Sequence, residues 1–255
     1  MDKGTKSGSL KQKSKFGQVL VGPDLKTDRK QNIIIKNIFS KLEMEKNLKE
    51  YQAIIFDLDG TLADSFHFFL SVLNQLSAKY KFKSVSLHEV DYYKQLTPRE
   101  IMKEMNVSRW KLPWIAKDFI RLMKERDEEI QLFEGMRDHL IELHKRGYTL
   151  AIITSNSKEN CQNVLGKELC ELFSHIDGGS SIFGKAKRIK RVLNILDVSK
   201  NQAIYVGDQT TDGEAAHKAG IDFAAVGWGY TSAEKLKTIQ PKVVLNDLAT
   251  MKEFF

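Results

Sequence analysis

The chain has 255 residues, 42% of them hydrophobic and 29% charged, which suits one large domain carrying an insertion or two modest ones. No uninterrupted apolar stretch reaches the roughly 20 residues that a membrane-spanning helix needs, and the basic N-terminus lacks the apolar segment of a secretory signal. The formal charge is +7, but residues 1–50 hold twelve Lys and Arg against six Asp and Glu; the other 205 residues carry only +1, so nucleic-acid binding by the folded body is not expected.

Residues 1–50 read as a basic, partly flexible N-terminal extension. Lys3, Lys6, Lys11, Lys13 and Lys15 alternate with small or polar residues, and Gly22-Pro23-Asp24 is turn-like. Ile33, Ile34, Ile35, Ile38, Phe39 and Leu42 suit a short amphipathic helix, and Met44 offers an alternative start just before the first strand. Such a tail is available for contact with a partner or an anionic surface. Cys161 and Cys170 make no disulfide framework and point to a reducing, cytoplasmic setting.

The chain is organised around Ala53–Ser65. Ala53-Ile54-Ile55-Phe56 is an apolar, branched run suited to a buried parallel strand, and it ends in Asp57-Leu58-Asp59-Gly60-Thr61. If strand geometry persists, Asp57 and Asp59 point the same way, since side-chain direction repeats every two residues. An acidic turn after a strand is the plain alternative, but two unpaired acids directly after a core run are costly to bury. A carboxylate at a strand's end is able to attack phosphorus, and a second one two positions on can protonate a leaving oxygen and later activate water. Gly60 permits a sharp exit and Thr61 offers a hydroxyl. This stretch resembles the nucleophile motif Asp-x-Asp-Gly-Thr of the haloacid dehalogenase-like hydrolases, and the resemblance runs from about Tyr51 to the C-terminus. It implies Asp57 as nucleophile and Asp59 as general acid and base, with Thr61 among the phosphate-binding groups.

Residues 66–134 follow as a mostly helical insertion. Phe69, Val72, Leu73 and Leu76 are spaced for helical packing, 84–95 are polar and turn-prone, and Pro98-Arg99-Glu100 is suited to open another helix. Trp110, Pro113 and Trp114 interrupt or link helical pieces before Ile115–Arg126. A helical module in this place resembles the cap of the phosphoglycolate-phosphatase-like branch of the family, which would close over a small phosphate ester and exclude water. Within it His67, Lys94 and Arg99 are candidates for substrate specificity, each with an ordinary alternative as a packed or solvated side chain.

Beyond the insertion the pattern alternates strand and helix. Met136–Arg146 reads as an amphipathic helix closed by Gly147, and Tyr148–Ile153 as a strand leading into Thr154-Ser155-Asn156-Ser157. Thr and Ser here serve equally well to cap the next helix; under the resemblance Ser155 and Asn156 bind phosphate. Phe173–Ile182 precedes Gly184-Lys185-Ala186-Lys187-Arg188, where three cations would ordinarily mark a wet helix surface. The family places a phosphate-neutralising lysine in this region; Lys185 is the choice and Lys187 the runner-up. Ala186 departs from the family's Gly-Lys-Pro continuation.

Gln202–Val206 is the next strand and ends in Gly207-Asp208-Gln209-Thr210-Thr211-Asp212-Gly213. Asp208 and Asp212 could be a cap and a first-turn acid. With Asp57 and Asp59 they resemble the family's metal site, a hard-oxygen environment for Mg²⁺, Asp59 contributing its backbone carbonyl. Glu214–Ala219, Ile221–Val226, Ser232–Leu236, Pro241–Leu245 and Leu248–Phe255 complete the alternation. Gly227-Trp228-Gly229-Tyr230 forms a bulky loop, with Trp228 a further specificity candidate or a core cover.

The fold expected is α/β, a doubly wound, mostly parallel, Rossmann-like sheet with a helical cap insertion. The core comprises 51–65 and 135–255, and the cap 66–134. The resemblance implies a Mg²⁺-dependent phosphomonoester hydrolase acting on a small phosphorylated metabolite through an aspartyl phosphate, away from membranes. A sugar phosphomutase of the same superfamily is the alternative enzyme, and a non-enzymatic interaction protein retaining the fold is the alternative of another class.

Overall fold

Strand β1, Ala53–Phe56, is buried along its whole length because a parallel neighbour lies on each side of it. A computed structural model describes residues 51–126, 129–179 and 184–255, so the expected extension over residues 1–50 lies outside the described residues. Strands β4 (Thr149–Ile153), β5 (Phe173–Asp177), β6 (Ala203–Gly207), β7 (Asp222–Val226) and β8 (Val243–Leu245) pair with β1 in the order β5-β4-β1-β6-β7-β8, all parallel among the described residues. Ile182, expected at the end of the segment that gives β5, is not among the described residues.

Both faces of the sheet are covered, which is why its strands read as continuous apolar runs. Ile54, Phe56, Ile152, Ile204 and Val206 face one way, toward helices α5 (Met136–Lys145), α6 (Lys158–Cys170) and α10 (Leu248–Phe254). Ala53, Ile55, Ile153, Tyr205 and Phe223 face the other, toward α7 (Lys185–Leu196), α8 (Thr210–Ala219) and α9 (Ala233–Lys237). From β1 the chain first builds outward through β4 and β5, then returns to the opposite side of β1 to build β6, β7 and β8. That reversal opens a crevice at the carboxyl ends of β1 and β6, where ligands bind in open α/β sheets.

Residues between the first strand and α5 contain α1 (Phe66–Tyr80), α2 (Val90–Tyr93), α3 (Pro98–Glu104) and α4 (Leu112–Glu125). Leu70, Val85, Tyr93 and Met105 form a small apolar cluster of their own, while Phe68, Val72 and Leu76 on α1 join the main core. Two short strands that the sequence pattern did not suggest, β2 (Ala63–Asp64) and β3 (Gln131–Leu132), pair antiparallel where the chain enters and leaves this region.

Local chemistry accounts for the shifted boundaries. Helix α8 starts at Thr210, four residues before the expected Glu214, because Gln209 and Asp212 form a capping box. Helix α4 starts at Leu112, because Pro113 sits in the first turn, where a missing N–H costs nothing. The turn-prone stretch 84–95 holds one 3₁₀ turn, Leu87–Glu89, and then α2.

Candidate active site

Asp57 follows β1 directly; its N–H continues the ladder to the carbonyl of Val206 at 2.9 Å, so its carboxylate is carried to the sheet's rim by the central strand. The chain then folds tightly, with the N–H groups of Thr61, Leu62 and Ala63 all directed at the carbonyl of Leu58. Gly60 has φ +74°, and a Cβ there would lie 2.4 Å from both Asp208 Oδ2 and the Tyr230 ring, so glycine is required twice over. The turn sends the two acids to different partners. Asp57 meets Lys185, whereas Asp59 accepts a hydrogen bond from Asn156 Nδ2 at 3.4 Å and keeps its buried Oδ1 without a partner among the described residues.

Asp208 leaves the end of β6 and Asp212 stands in the first turn of α8, which brings both beside Asp57. All three are buried, and one oxygen from each lies within 4.8 Å of the others. Lys185, the first residue of α7, reaches in behind Gly184 and places Nζ 3.3 Å from Asp57 Oδ1 and 2.5 Å from Asp212 Oδ1. Lys187, two residues on, is exposed. Asp212 Oδ2 accepts from the N–H of Gln209, and Asp208 accepts from Thr61 Oγ1 at 3.3 Å and from the N–H of Tyr230 at 2.7 Å.

Three buried carboxylates facing one ammonium leave excess negative charge. Burial pushes the Asp57 carboxyl up to about 7, with Asp212 and Asp59 adding to the rise and Lys185 opposing it. Burial, then Asp212 and Asp57, raises Asp208 well above the usual carboxylate range. Burial also raises Asp59, against the pull of the Ser65 and Asn156 side chains. For Lys185 burial works against the charged form, yet Asp212 and Asp57 outweigh it and the ammonium is held. A cluster of hard oxygens at this separation with uncompensated charge is able to hold a divalent cation.

At the end of β4, Ser155 is exposed at the rim while Thr154 is buried and takes the Asn156 N–H on its Oγ1 at 3.0 Å. The helix cap expected of this stretch is supplied by Ser157, which accepts from the N–H of Asn160, so Ser155 does not cap α6. The remaining candidates make contacts of other kinds or face solvent. His67 and Arg99 are exposed, and Lys94 holds its Nζ 4.6 Å from the centre of the Phe66 ring. Trp228 donates from Nε1 to the carbonyl of Thr61 at 3.2 Å and meets Phe133 edge-on, which places it against the turn that follows Asp57.

Sequence reasoning missed three supporting residues. Arg188 is buried one helical turn after Lys185; it pairs with Asp177 and donates to the carbonyls of Thr154 and Gly179, tying α7 to the ends of β4 and β5. Tyr205 donates to the carbonyl of Ile153 at 3.0 Å and lays its ring 5.5 Å from Lys185 Nζ. Tyr230 bonds Asp208 through its backbone and Ser65 through its hydroxyl. None of the three had a local signal: the burial of Asp177, which calls for a cation beside it, emerges only in the fold, and Tyr205 and Tyr230 act across distant parts of the chain.

The family profile described as haloacid dehalogenase-like hydrolase matches residues 54–226. A phosphoglycolate phosphatase from Synechococcus elongatus is 30% identical over 195 residues, which are 76% of this chain and 92% of that protein. Another from Vibrio cholerae is 28% identical over 221 residues, covering 81% of this chain and 97% of the relative. Among solved structures, a haloacid dehalogenase-like family hydrolase from Streptococcus pneumoniae superposes with a TM-score of 0.68 at 26% identity, over 80% of this chain and 99% of that one. The chain belongs to the haloacid dehalogenase-like hydrolases.

Proposed function

We propose that the chain is a Mg²⁺-dependent phosphomonoester hydrolase that acts on a small phosphorylated metabolite through an aspartyl phosphate on Asp57. The observation that carries this reading is the cluster of Asp57, Asp208 and Asp212 with Lys185 Nζ between two of them. Names of relatives, phosphoglycolate phosphatase among them, support a small phosphorylated substrate.

In this reading Asp57, Asp208, Asp212 and the Asp59 carbonyl hold the metal. Bound there, Mg²⁺ supplies positive charge that offsets both the carboxylates and the phosphoryl oxygens. Lys185 offsets further phosphoryl charge, and the Ser155 hydroxyl, Asn156 and the Thr61 segment orient the group. Asp57 Oδ attacks phosphorus; the P–O bond to the alcohol breaks, and Asp59 gives that oxygen its proton. Asp59, now ionised, removes a proton from water, which attacks the phosphorus of the aspartyl phosphate and frees Asp57 and inorganic phosphate. The raised Asp59 carboxyl suits it to start as the acid. Residues 51–65 and 135–255 form the catalytic core, and 66–134 act as a cap that shields the site from water.

The test is phosphate release from a panel of small phosphate esters that includes phosphoglycolate, with and without Mg²⁺. Release should require Mg²⁺ and be lost in Asp57→Asn, with a radiolabelled phosphoryl group trapped on the intact chain only. Turnover surviving in Asp57→Asn would remove Asp57 as nucleophile. Transfer of label to a second position on a sugar phosphate, without free phosphate, would replace hydrolysis by mutase action.

A further inference from the structure

Loop 227–232 of the core makes contacts that no catalytic role assigned above requires. At its start Trp228 bonds the carbonyl of Thr61 and packs on Phe133, just beyond β3. At its end Ser232 donates from its N–H to the carbonyl of Lys94 in the helical insertion at 2.9 Å. Between them lies Gly229, where a Cβ would come within 2.3 Å of Asp208 Cβ and 2.5 Å of the Gly60 carbonyl. The loop therefore presses against a metal-site carboxylate and touches both chain crossings into the insertion.

Tyr230 joins these ends. Its N–H donates to Asp208 Oδ2 at 2.7 Å, and its hydroxyl lies 2.9 Å from Ser65 Oγ. Its ring meets Phe66 and Phe69 of α1 edge-on at 5.4 and 5.3 Å. Ser65 occupies the N-cap position of α1, where a serine hydroxyl normally accepts from the helix's own N–H groups; here it makes no such bond. The buried hydroxyl lies against the Tyr230 hydroxyl instead and also acts on the Asp59 carboxyl.

We propose that Tyr230 is a positioning residue that couples the seating of the helical insertion to the metal-site carboxylate Asp208. A cation on Asp208 fixes that carboxylate and, through the Tyr230 N–H, the backbone carrying the ring that holds α1. Linkage then makes the effect reciprocal: metal binding seats α1, and unseating α1 weakens metal binding. The inference rests on the metal site of the proposed function.

The experiment uses the full chain and follows hydrogen–deuterium exchange of two segments, α1 and Asp208–Ala219, with and without Mg²⁺. In the unsubstituted chain Mg²⁺ should slow exchange in both, α1 by about fivefold or more, the lower end of ordinary allosteric coupling. Tyr230→Phe keeps the ring and the backbone N–H but loses the Ser65 bond. It should keep protection of Asp208–Ala219, lose most of that of α1, and raise the Mg²⁺ dissociation constant, read by calorimetry, severalfold. Ser65→Ala should reproduce this, and the double substitution should add little. Undiminished protection of α1 in Tyr230→Phe would overturn the coupling, as would protection confined to Asp208–Ala219 in the unsubstituted chain. If Mg²⁺ protects neither segment, the metal-site reading itself fails and takes the inference with it.

Discussion

Lys185 is the side chain on which the electrostatics of the site turns. It is the cation that two buried acids share, at 3.3 Å from Asp57 and 2.5 Å from Asp212. Removing one partner from a buried ion pair leaves charge with no compensation and costs about 3 kcal/mol or more. Lys185→Met should lose roughly that in urea denaturation with chelator present, and turnover should fall by roughly 10²–10³, as when one preorganised charge-stabilising group is lost. A divalent cation bound by the same carboxylates should then stabilise the variant by more than it stabilises the parent chain, since it replaces charge that the ammonium no longer supplies. Equal stabilisation of the two would show that Lys185 and the cation do not serve one cluster. Lys185 was preferred over Lys187 from its place after Gly184 near a helix start, but Ala186 in place of the family's proline left that register open. That choice depends on which cation the first turn of α7 aims at β1, and the structure leaves Lys187 exposed.

Single elements carry their own liabilities, and α5 shows one. His139 lies on its buried face with neither ring nitrogen hydrogen-bonded among the described residues. Burial first, and then the charges of Lys252 and Arg146, lower its pKa from the usual 6.5 to about 4. The unfolded chain therefore binds the extra proton first as pH falls, so stability is present above pH 6.5 and drains away toward pH 4, by at most about 3 kcal/mol. His139→Leu should be more stable than the parent chain, with the advantage widening from pH 6.5 down to 4. A constant advantage across that range would mean the ring is not held neutral. Elements of this kind were well marked in the sequence. β1, β4 and β6 announce themselves as apolar runs, and Leu140 and Leu143 mark the packed side of α5. The ribbon of β2 and β3 had no such mark, because two residues on each side are too few to show alternation. Arg188 was hidden for another reason: a cation in a cationic run looks solvated until the fold supplies Asp177 beside it.

For the whole molecule, the carboxylate-lined rim of the sheet is stored instability. Asp57 titrates near 7 in the metal-free fold instead of at its ordinary 3.8, so the folded chain holds a proton that the unfolded chain has released over this window. Its contribution is fully present below pH 3.8 and is lost as pH rises through about 7, up to about 4 kcal/mol. The sign is opposite to that of His139, and Asp57→Asn separates the two. With chelator, the parent chain should lose stability relative to Asp57→Asn as pH climbs toward 7. With saturating Mg²⁺ that loss should vanish, because ionised carboxylates bind the cation better. Curves that run parallel with and without Mg²⁺ would exclude a cation at Asp57. The tie of Tyr230 to both Ser65 and Asp208 belongs to this scale too, since it spans 165 and 22 positions of chain and no local pattern records it. The paired strands Ala63–Asp64 and Gln131–Leu132 have a further consequence. They bring the two ends of the excursion to adjacent points, about 5 Å apart, the spacing of neighbouring strands. The ribbon thus fixes where the chain leaves and rejoins the sheet, while Phe68, Val72 and Leu76 of α1 stay packed in the main core. A change of length beyond α1 therefore has its entry and exit already joined, and Asp57 and Asp208 keep the places that β1 and β6 give them.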